Sequence, residues 1–554
     1  MLYLLKRISI LSVTLLILAS CGGSTSSSET PAETSEETTE EAPVEAPEGT
    51  PEETTASTAV ESQDDEGEWR DNLIQVLVSS MPFEKPDFVA CVIDSVHGDI
   101  GVGFDEMYQK IVSDEPTTEE WDKSFVASFY DCSSLLTQEE IAQLFPENEE
   151  PPTLASDELA AEISERLQVW LLANGAPGSS VSVLLPDGSQ VNVAEGDRDR
   201  NGTPASVEDY WRIASISKPI TSAVVLKLVE EGAIGIDEPV MTYLGSDWAT
   251  GYVLDGIDYA PLITIRQILN HTDGFPEYAF DPGFYLLASS RLDVVFEPQE
   301  VVDWAFGRGP QYVPGTEYAY NTVGHVVAGL VIEAVTGRQA HELIREYVSL
   351  PANAPDLYLP PKEFPPSMVP SMFVQGELAT LISFLPGLAP YLEEARINDE
   401  VLDLSVGPQE VLSSVGWTGG GVEAQMDDLA RVFKAMFDGT ILKEETVDLF
   451  SEKAIGSSYA LGIQLSERVG YATFEHGGGV PGFRSHARYF PDLDLSIALS
   501  TNMIPVDPDV GSIADEITEI TIRHLQESGW ELPEPDTSNA EPTPPESTNT
   551  GEVG

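Results

Sequence analysis

Ser215-Ile216-Ser217-Lys218 is the stretch of this chain best suited to chemistry. A Ser hydroxyl is a weak nucleophile until a base takes its proton. A Lys three residues further along a helix stands beside that hydroxyl. Buried there, the Lys can lose its charge and become the base. Backbone N–H groups at the start of such a helix favour negative charge nearby. The chain has ten lysines, and Lys218 alone has a Ser three positions before it. The same residues also fit a helix-capping Ser beside a surface Lys, so the pair needs support from elsewhere.

Two further segments offer it. Between Pro314 and Gly324 a Pro-Gly turn delivers Tyr318 and Tyr320 just ahead of a predicted helix, His325 to Val335. A phenol near a cation can relay protons, although two core aromatics would look the same. Glu475-His476 is followed by Gly477, Gly478 and Gly479, then Val480-Pro481-Gly482. Three glycines after a strand allow close backbone approach and leave N–H donors that could form half of an oxyanion hole. A plain Gly-rich hairpin turn also fits.

The elements that must position these residues run from about 156 to 528. A helix is expected from Glu158 to Leu172, then strands Ser180–Leu185 and Gln190–Ala194, turned by Pro186-Asp187-Gly188. The helix after the Ser-Lys pair is expected over Ser222–Glu231. Strands return late, at Tyr459–Leu465, Ala472–Glu475, Arg484–Phe490 and Leu495–Ser500, before an amphipathic helix at Ser512–Gln526. Strands at both ends with helices between them imply one sheet built from both ends and an inserted helical subdomain. The Pro-rich stretch Leu350–Pro370 and the apolar stretch that follows to Ile397 fit least well and read as an insertion.

Taken together, from about residue 158 to 528, these segments resemble the serine β-lactamase-related family, which groups class C β-lactamases, D-Ala-D-Ala carboxypeptidases, D-aminopeptidases and esterases. Supporting segments occur in family order. They are Pro177-Gly178, Ile234 to Val240, Ile263 to Gly274 with its Asn270-His271-Thr272-Asp273-Gly274 ending, Gly419 to Gly421, and Ser500-Thr501-Asn502. The resemblance implies an α+β, β-lactamase/transpeptidase-like fold, with an antiparallel sheet flanked by helices. It implies Ser215 as the acylated nucleophile, Lys218 as its proton acceptor, Tyr320 as general base and acid, and His476 in the proton network. Ser215 and Gly479 would supply the oxyanion-hole N–H groups. Asn321 or Thr322, with Gly477 and Gly478, would contact substrate, and His271 would be structural. No metal or organic cofactor is implied. The chain departs from the family in two places. The family's Tyr-x-Asn becomes Tyr320-Asn321-Thr322, and its Lys-Thr-Gly becomes His476-Gly477-Gly478. A mostly neutral His binds a substrate carboxylate less well than Lys, unless Arg484 points into the site. An ester or amide without an obligatory carboxylate is therefore the expected substrate. A peptidoglycan-directed D,D-peptidase or β-lactamase, and a non-catalytic binding protein of the same fold, are the alternatives.

The rest of the chain sets the context. The formal net charge is −67, from 94 acids against 27 bases, which argues against nucleic acid and anionic lipid as partners. Lys6-Arg7, an apolar run from Ile8 to Ala19, and Leu18-Ala19-Ser20-Cys21 resemble a bacterial lipoprotein signal, 1–20, with Cys21 lipidated. A membrane-anchored, extracytoplasmic protein is expected. Residues 21–67 read as a disordered acidic tether and 531–554 as a disordered tail. Between them, 68–147 reads as a small helical domain with apolar spacing at 71–78, 87–93, 119–130 and 138–145, its protein partner unspecified. Its Cys91 and Cys132 are the only other cysteines of an expectedly exported chain. They are expected to pair, closing a loop worth about 4 kcal/mol; two buried free thiols are the alternative.

Overall fold

The computed structural model describes residues 63–79, 85–100, the single positions Phe104, Met107, Ser128, Cys132 and Leu135, and 153–534 apart from 247, 249, 250, 280, 368 and 369. The expected signal segment, Cys21, the tether up to residue 62, the helical segment at 138–145, most of that at 119–130, and the tail beyond residue 534 lie outside the described residues. The chain divides into two compact units, at Pro152 and Thr153.

In the first unit, α1 (Gln63–Ser79) and α2 (Pro86–Ile100) pack through Leu73, Leu77, Phe88, Val92, Ile93 and Val96. Arg70 Nε donates to Asp94 Oδ1 at 2.6 Å and ties the two helices together at their surface. Cys91 and Cys132 form a disulfide with Cα atoms 5.9 Å apart.

The second unit is built on a six-stranded antiparallel sheet. Its strands are β1 (Gly178–Leu184), β2 (Gln190–Gly196), β3 (Gln464–Arg468), β4 (Tyr471–Val480), β5 (Phe483–Phe490) and β6 (Leu495–Thr501). They lie in the order β3-β4-β5-β6-β1-β2. The two ends of the segment meet where β1 pairs β6, Ser180 opposite Ser500 and Val183 opposite Ile497. The period-2 alternation of these strands sends Val181, Val183, Leu495, Ile497 and Leu499 to one face. There α3 (Asp157–Asn174) and α7 (Val510–Glu527) cover them. Ser156 caps α3 by accepting from Leu159 N at 3.1 Å. The other face carries small residues, Ser180, Ser182, Ala487 and Ala498, and α6 (Met426–Phe437) packs across it.

Behind that face lies the larger core, around α4 (Ser217–Glu230) and α5 (Val323–Thr336). Every residue of α4 from Ser217 to Leu226 is buried, the polar Ser217, Lys218, Thr221 and Ser222 included, so the helix is enclosed on all sides rather than amphipathic. It starts five residues earlier than its apolar pattern indicates. Two strand expectations also shift. Tyr459 makes only an isolated bridge to Gln464, and the strand proper starts at Gln464. The strand expected to end at Glu475 runs on through all three glycines to Val480. The turn is Pro481-Gly482, with Gly482 at φ +90° as a type II turn requires.

Candidate active site

Ser215 occupies a short 3₁₀ turn, Ala214–Ile216, that runs directly into α4. In 3₁₀ geometry residues i and i+3 eclipse each other, which places Lys218 over Ser215 more closely than an α-helix would. Lys218 Nζ lies 3.0 Å from Ser215 Oγ. Ala214 has φ +52°, a conformation unusual for a residue with a side chain. Ser217 holds the turn, donating to Ala214 O at 2.6 Å and accepting from Val422 N at 3.0 Å.

Lys218 has no exposed surface, whereas Ser215 is half-buried and opens to a cavity. The amine donates to Gly419 O at 2.7 Å and reaches Thr322 Oγ1 at 3.4 Å. Desolvation lowers its pKa to about 7, against a smaller upward pull from Glu277. Gly419 must be glycine to come this close, since a Cβ there would lie 2.7 Å from Thr322 Cγ2.

Tyr320 lines the cavity together with Ser215, and Lys218 Nζ sits 4.9 Å from its ring centroid. Burial raises the phenol well above its ordinary value, so it is protonated near neutrality. The 271–274 segment fixes its position. Ala319 N donates to His271 O at 3.0 Å, and Gly315 N to Thr272 O at 2.7 Å. Tyr312 Oη adds a bond to His271 O at 2.9 Å.

Asn321 does not face the cavity, contrary to the expectation that it could contact substrate. It is fully buried, donates to Asp273 Oδ1 at 3.0 Å and accepts from Gly324 N at 2.8 Å. Thr322 faces the cavity instead, and its hydroxyl donates to Glu277 Oε2 at 2.9 Å.

The β4–β5 hairpin docks against the Ser215 turn. Ser485 Oγ donates to Ile213 O at 2.8 Å, and a Cβ at Gly478 would meet Ile213 O at 2.2 Å. Of the three glycines only Gly479 lines the cavity; Gly477 and Gly478 stand back from it, and of these Gly478 alone is closely packed. His476 also stands back from the wall. Its Nε2 shares a 2.9 Å hydrogen bond with Tyr459 Oη, and burial lowers its pKa to about 3, so it is neutral. Arg484 turns away too. Its Nε donates to Asp509 Oδ1 at 2.8 Å and Nη1 to Gly478 O at 3.2 Å. Arg484 is not in the cavity lining, so the exception, in which it points into the site and restores a cation, is not met.

The cavity encloses about 260 Å³. Ser215, Glu277, Tyr320, Thr322 and Gly479 form its polar end. Phe284, Leu292, Ile382, Leu388, Val411 and Val415 are among its apolar walls. These come from the helix Pro282–Ser289 and Leu292 after it, from the helix Gly376–Ser383 and the turn Pro386–Leu388, and from 404–416. The stretch around 378–388, expected as an insertion, is thus part of the site. Glu277 was not singled out in the sequence, where no spacing links it to Ser215; its place two residues after the 271–275 segment that anchors Tyr320 was the one available signal.

A buried Lys against a Ser hydroxyl, with a phenol and a Gly-lined strand beside them, is an arrangement able to carry out serine acyl transfer, set on a sheet flanked by helices. The sequence profile described as Beta-lactamase matches residues 159–521, and the chain belongs to that family. It is 25% identical over 290 residues to penicillin-binding protein 4* of Bacillus subtilis (strain 168), covering 50% of this chain and 58% of that one. With esterase EstB of Burkholderia gladioli it is 28% identical over 176 residues, 29% of this chain and 42% of the relative. The chain thus spans about half the length of these relatives. A solved D-stereospecific amidohydrolase from Streptomyces sp. shares the fold, with TM-score 0.53 and 24% identity over 64% of this chain and 97% of that one.

Proposed function

We propose that the chain hydrolyses an ester or amide through a covalent ester on Ser215. The observation that carries this is a fully buried Lys218, 3.0 Å from Ser215 Oγ, whose pKa is lowered to about 7. Neutral Lys218 takes the proton of Ser215 as Oγ attacks the scissile carbonyl. N–H groups of Ser215 and Gly479 hold the developing oxyanion. Tyr320, protonated where it stands, relays that proton to the departing alcohol or amine. Water then attacks the ester, gives its proton back through the same groups, and Ser215 regains its hydrogen.

The cavity walls favour an apolar acyl group. Recognition of a carboxylate is disfavoured, because each nearby cation is committed. Arg212 pairs with Glu423 at 3.0 Å, Arg484 with Asp509, and His476 is neutral. Among the relatives esterase EstB fits this reading and penicillin-binding protein 4* fits a penicillin-directed one; the committed cations favour the first. Lipidation at Cys21 would hold the protein at an extracytoplasmic membrane face. The test is turnover by the full chain of short-chain p-nitrophenyl esters, amino acid amides and a chromogenic cephalosporin. Hydrolysis of esters or amides is expected; hydrolysis of the cephalosporin alone would overturn the proposal.

A further inference from the structure

Among the described residues two charged side chains line the cavity, Glu277 and Arg212. Arg212 has no part in the acyl-transfer chemistry. It lies on a short strand, Trp211–Arg212, that leads into the Ser215 turn and pairs antiparallel with Glu423–Ala424. Arg212 stands directly opposite Glu423, and its Nε donates to Glu423 Oε1 at 3.0 Å. The two side chains are only 10% and 4% exposed, so the pair is held out of water. Nη1 donates to Met372 Sδ at 3.0 Å and reaches Gln409 Oε1 at 3.4 Å. Gln409 is itself fixed, since its Nε2 donates to Leu404 O at 3.0 Å and to Gly407 O at 2.8 Å. A guanidinium carries five N–H donors in a rigid fork. Those on Nε and Nη1 are aimed into the protein, which fixes the direction of the last two. Nη2 has no acceptor among the described residues, yet it is not sealed in the interior. Charge and donors are therefore separated here. Glu423 cancels the charge, so an anion gains little, while two N–H groups remain for a neutral acceptor.

Resting on the hydrolase reading above, we propose that Arg212 is a specificity-determining residue whose Nη2 donates to an uncharged carbonyl oxygen within the acyl chain of the substrate. The substrate class is then an ester or amide of an apolar acid that carries a second, neutral carbonyl. The spacing fits one short acyl chain. Arg212 and Ser215 line the same cavity and are three residues apart, a separation of at most about 11 Å along the backbone. The turn at Ala214, with φ +52°, shortens it further. The carbons between the two carbonyls fall among the apolar walls, and the second oxygen falls at the one polar point beside the 404–416 wall, where Gln409 holds the guanidinium. A purely apolar chain placed there would leave the Nη2 donors desolvated and unpaired, which is what makes the position selective.

The experiment compares kcat/KM of the full chain for matched p-nitrophenyl esters in which a carbonyl oxygen replaces a methyl group of the same shape. The pairs are 4-oxopentanoate with 4-methylpentanoate, 5-oxohexanoate with 5-methylhexanoate, and 6-oxoheptanoate with 6-methylheptanoate. Wild type is expected to prefer the keto member of at least one pair by about 10-fold, the scale of a hydrogen bond to a charged group. It should also prefer the 5-oxohexanoate to the glutarate half-ester, which puts a carboxylate at the same place. Neither comparison needs a variant. Arg212→Lys keeps a cation opposite Glu423 but lacks the second arm of the fork. In that variant the keto-to-methyl ratio should collapse to unity or below, whatever the absolute rates, an effect that a merely structural role would not produce. No keto preference in any wild-type pair, a ratio unchanged in Arg212→Lys, or wild-type preference for the glutarate half-ester would overturn the proposal. Failure of the hydrolase reading itself would look different, as absence of turnover of every ester in the set and of fluorophosphonate labelling at Ser215.

Discussion

Lys218 Nζ and Ser215 Oγ are 3.0 Å apart, and no part of Lys218 meets solvent. The eclipsed 3₁₀ turn sets the distance, and the enclosure of α4 on all sides sets the burial. Burial in turn makes the amine a base, because it disfavours the charged form. One local choice of backbone thus links sequence to protonation state.

This fixes the acid side of the activity profile. Lys218 must be neutral to accept a proton, and its pKa is lowered to about 7 by desolvation. On a neutral ester, kcat/KM should fall about tenfold per pH unit below that point and level off above it. Glu277 pulls the same pKa upward, so Glu277→Gln should move the inflection to lower pH. A shift to higher pH would mean the carboxylate does not act on Lys218 through its field.

The same burial should cost stability. The folded pKa, about 7, lies below the ordinary 10.5. Between these values the unfolded chain binds more protons, so this group's contribution to stability rises with pH across that window, and its full cost is felt below it. Lys218→Met should raise the melting temperature, by the equivalent of about 1–2 kcal/mol at neutral pH. The gain should shrink as pH climbs towards the ordinary Lys value. Thermal unfolding at several pH values measures it; a gain that grows with pH would contradict the assignment.

The glycines of β4 should differ sharply. A Cβ at Gly478 would meet Ile213 O at 2.2 Å, while at Gly477 the nearest atom is 3.9 Å away. Gly478→Ala should lose about 1–3 kcal/mol and most activity, since relief requires moving the backbone next to Ser215. Gly477→Ala should stay within about 0.5–1 kcal/mol of wild type. Denaturant melts and ester turnover distinguish them, and similar losses at both positions would refute the packing argument.

Arg484→Ala tests whether that guanidinium serves the site. Its partner is Asp509, and both are partly exposed, so the pair should contribute under about 1 kcal/mol. The ratio of kcat/KM for matched neutral and carboxylate-bearing substrates should not change. A lost preference for the carboxylate would restore Arg484 as a substrate contact.

Some of this was legible in sequence because it is periodic or local. The apolar alternation of Val181, Val183, Ile497 and Leu499 marks strands, and their places near both ends of the segment require one sheet. Ser215 and Lys218 are three residues apart, so local geometry alone joins them. What stayed hidden depends on contacts distant in sequence. The Gly477–Gly479 run looks like a turn, yet β5 pairs along it and Ile213 O packs on it, so it is strand. Asn321 is drawn inward by Asp273, 48 residues earlier. Glu277 joins the site only because Thr322 turns its hydroxyl that way. The cavity walls at 378–388 and 404–416 have apolar residues but no motif, and only packing beside Phe284 and Leu292 gives them a role.

The central claim, a covalent ester on Ser215, is tested most directly by intact mass spectrometry of the full chain after treatment with a fluorophosphonate, followed by peptide mapping. One adduct per chain is expected, on the peptide holding Ser215, formed faster above pH 7 and absent in Ser215→Ala. An adduct on another residue, or equal labelling of Ser215→Ala, would contradict the account.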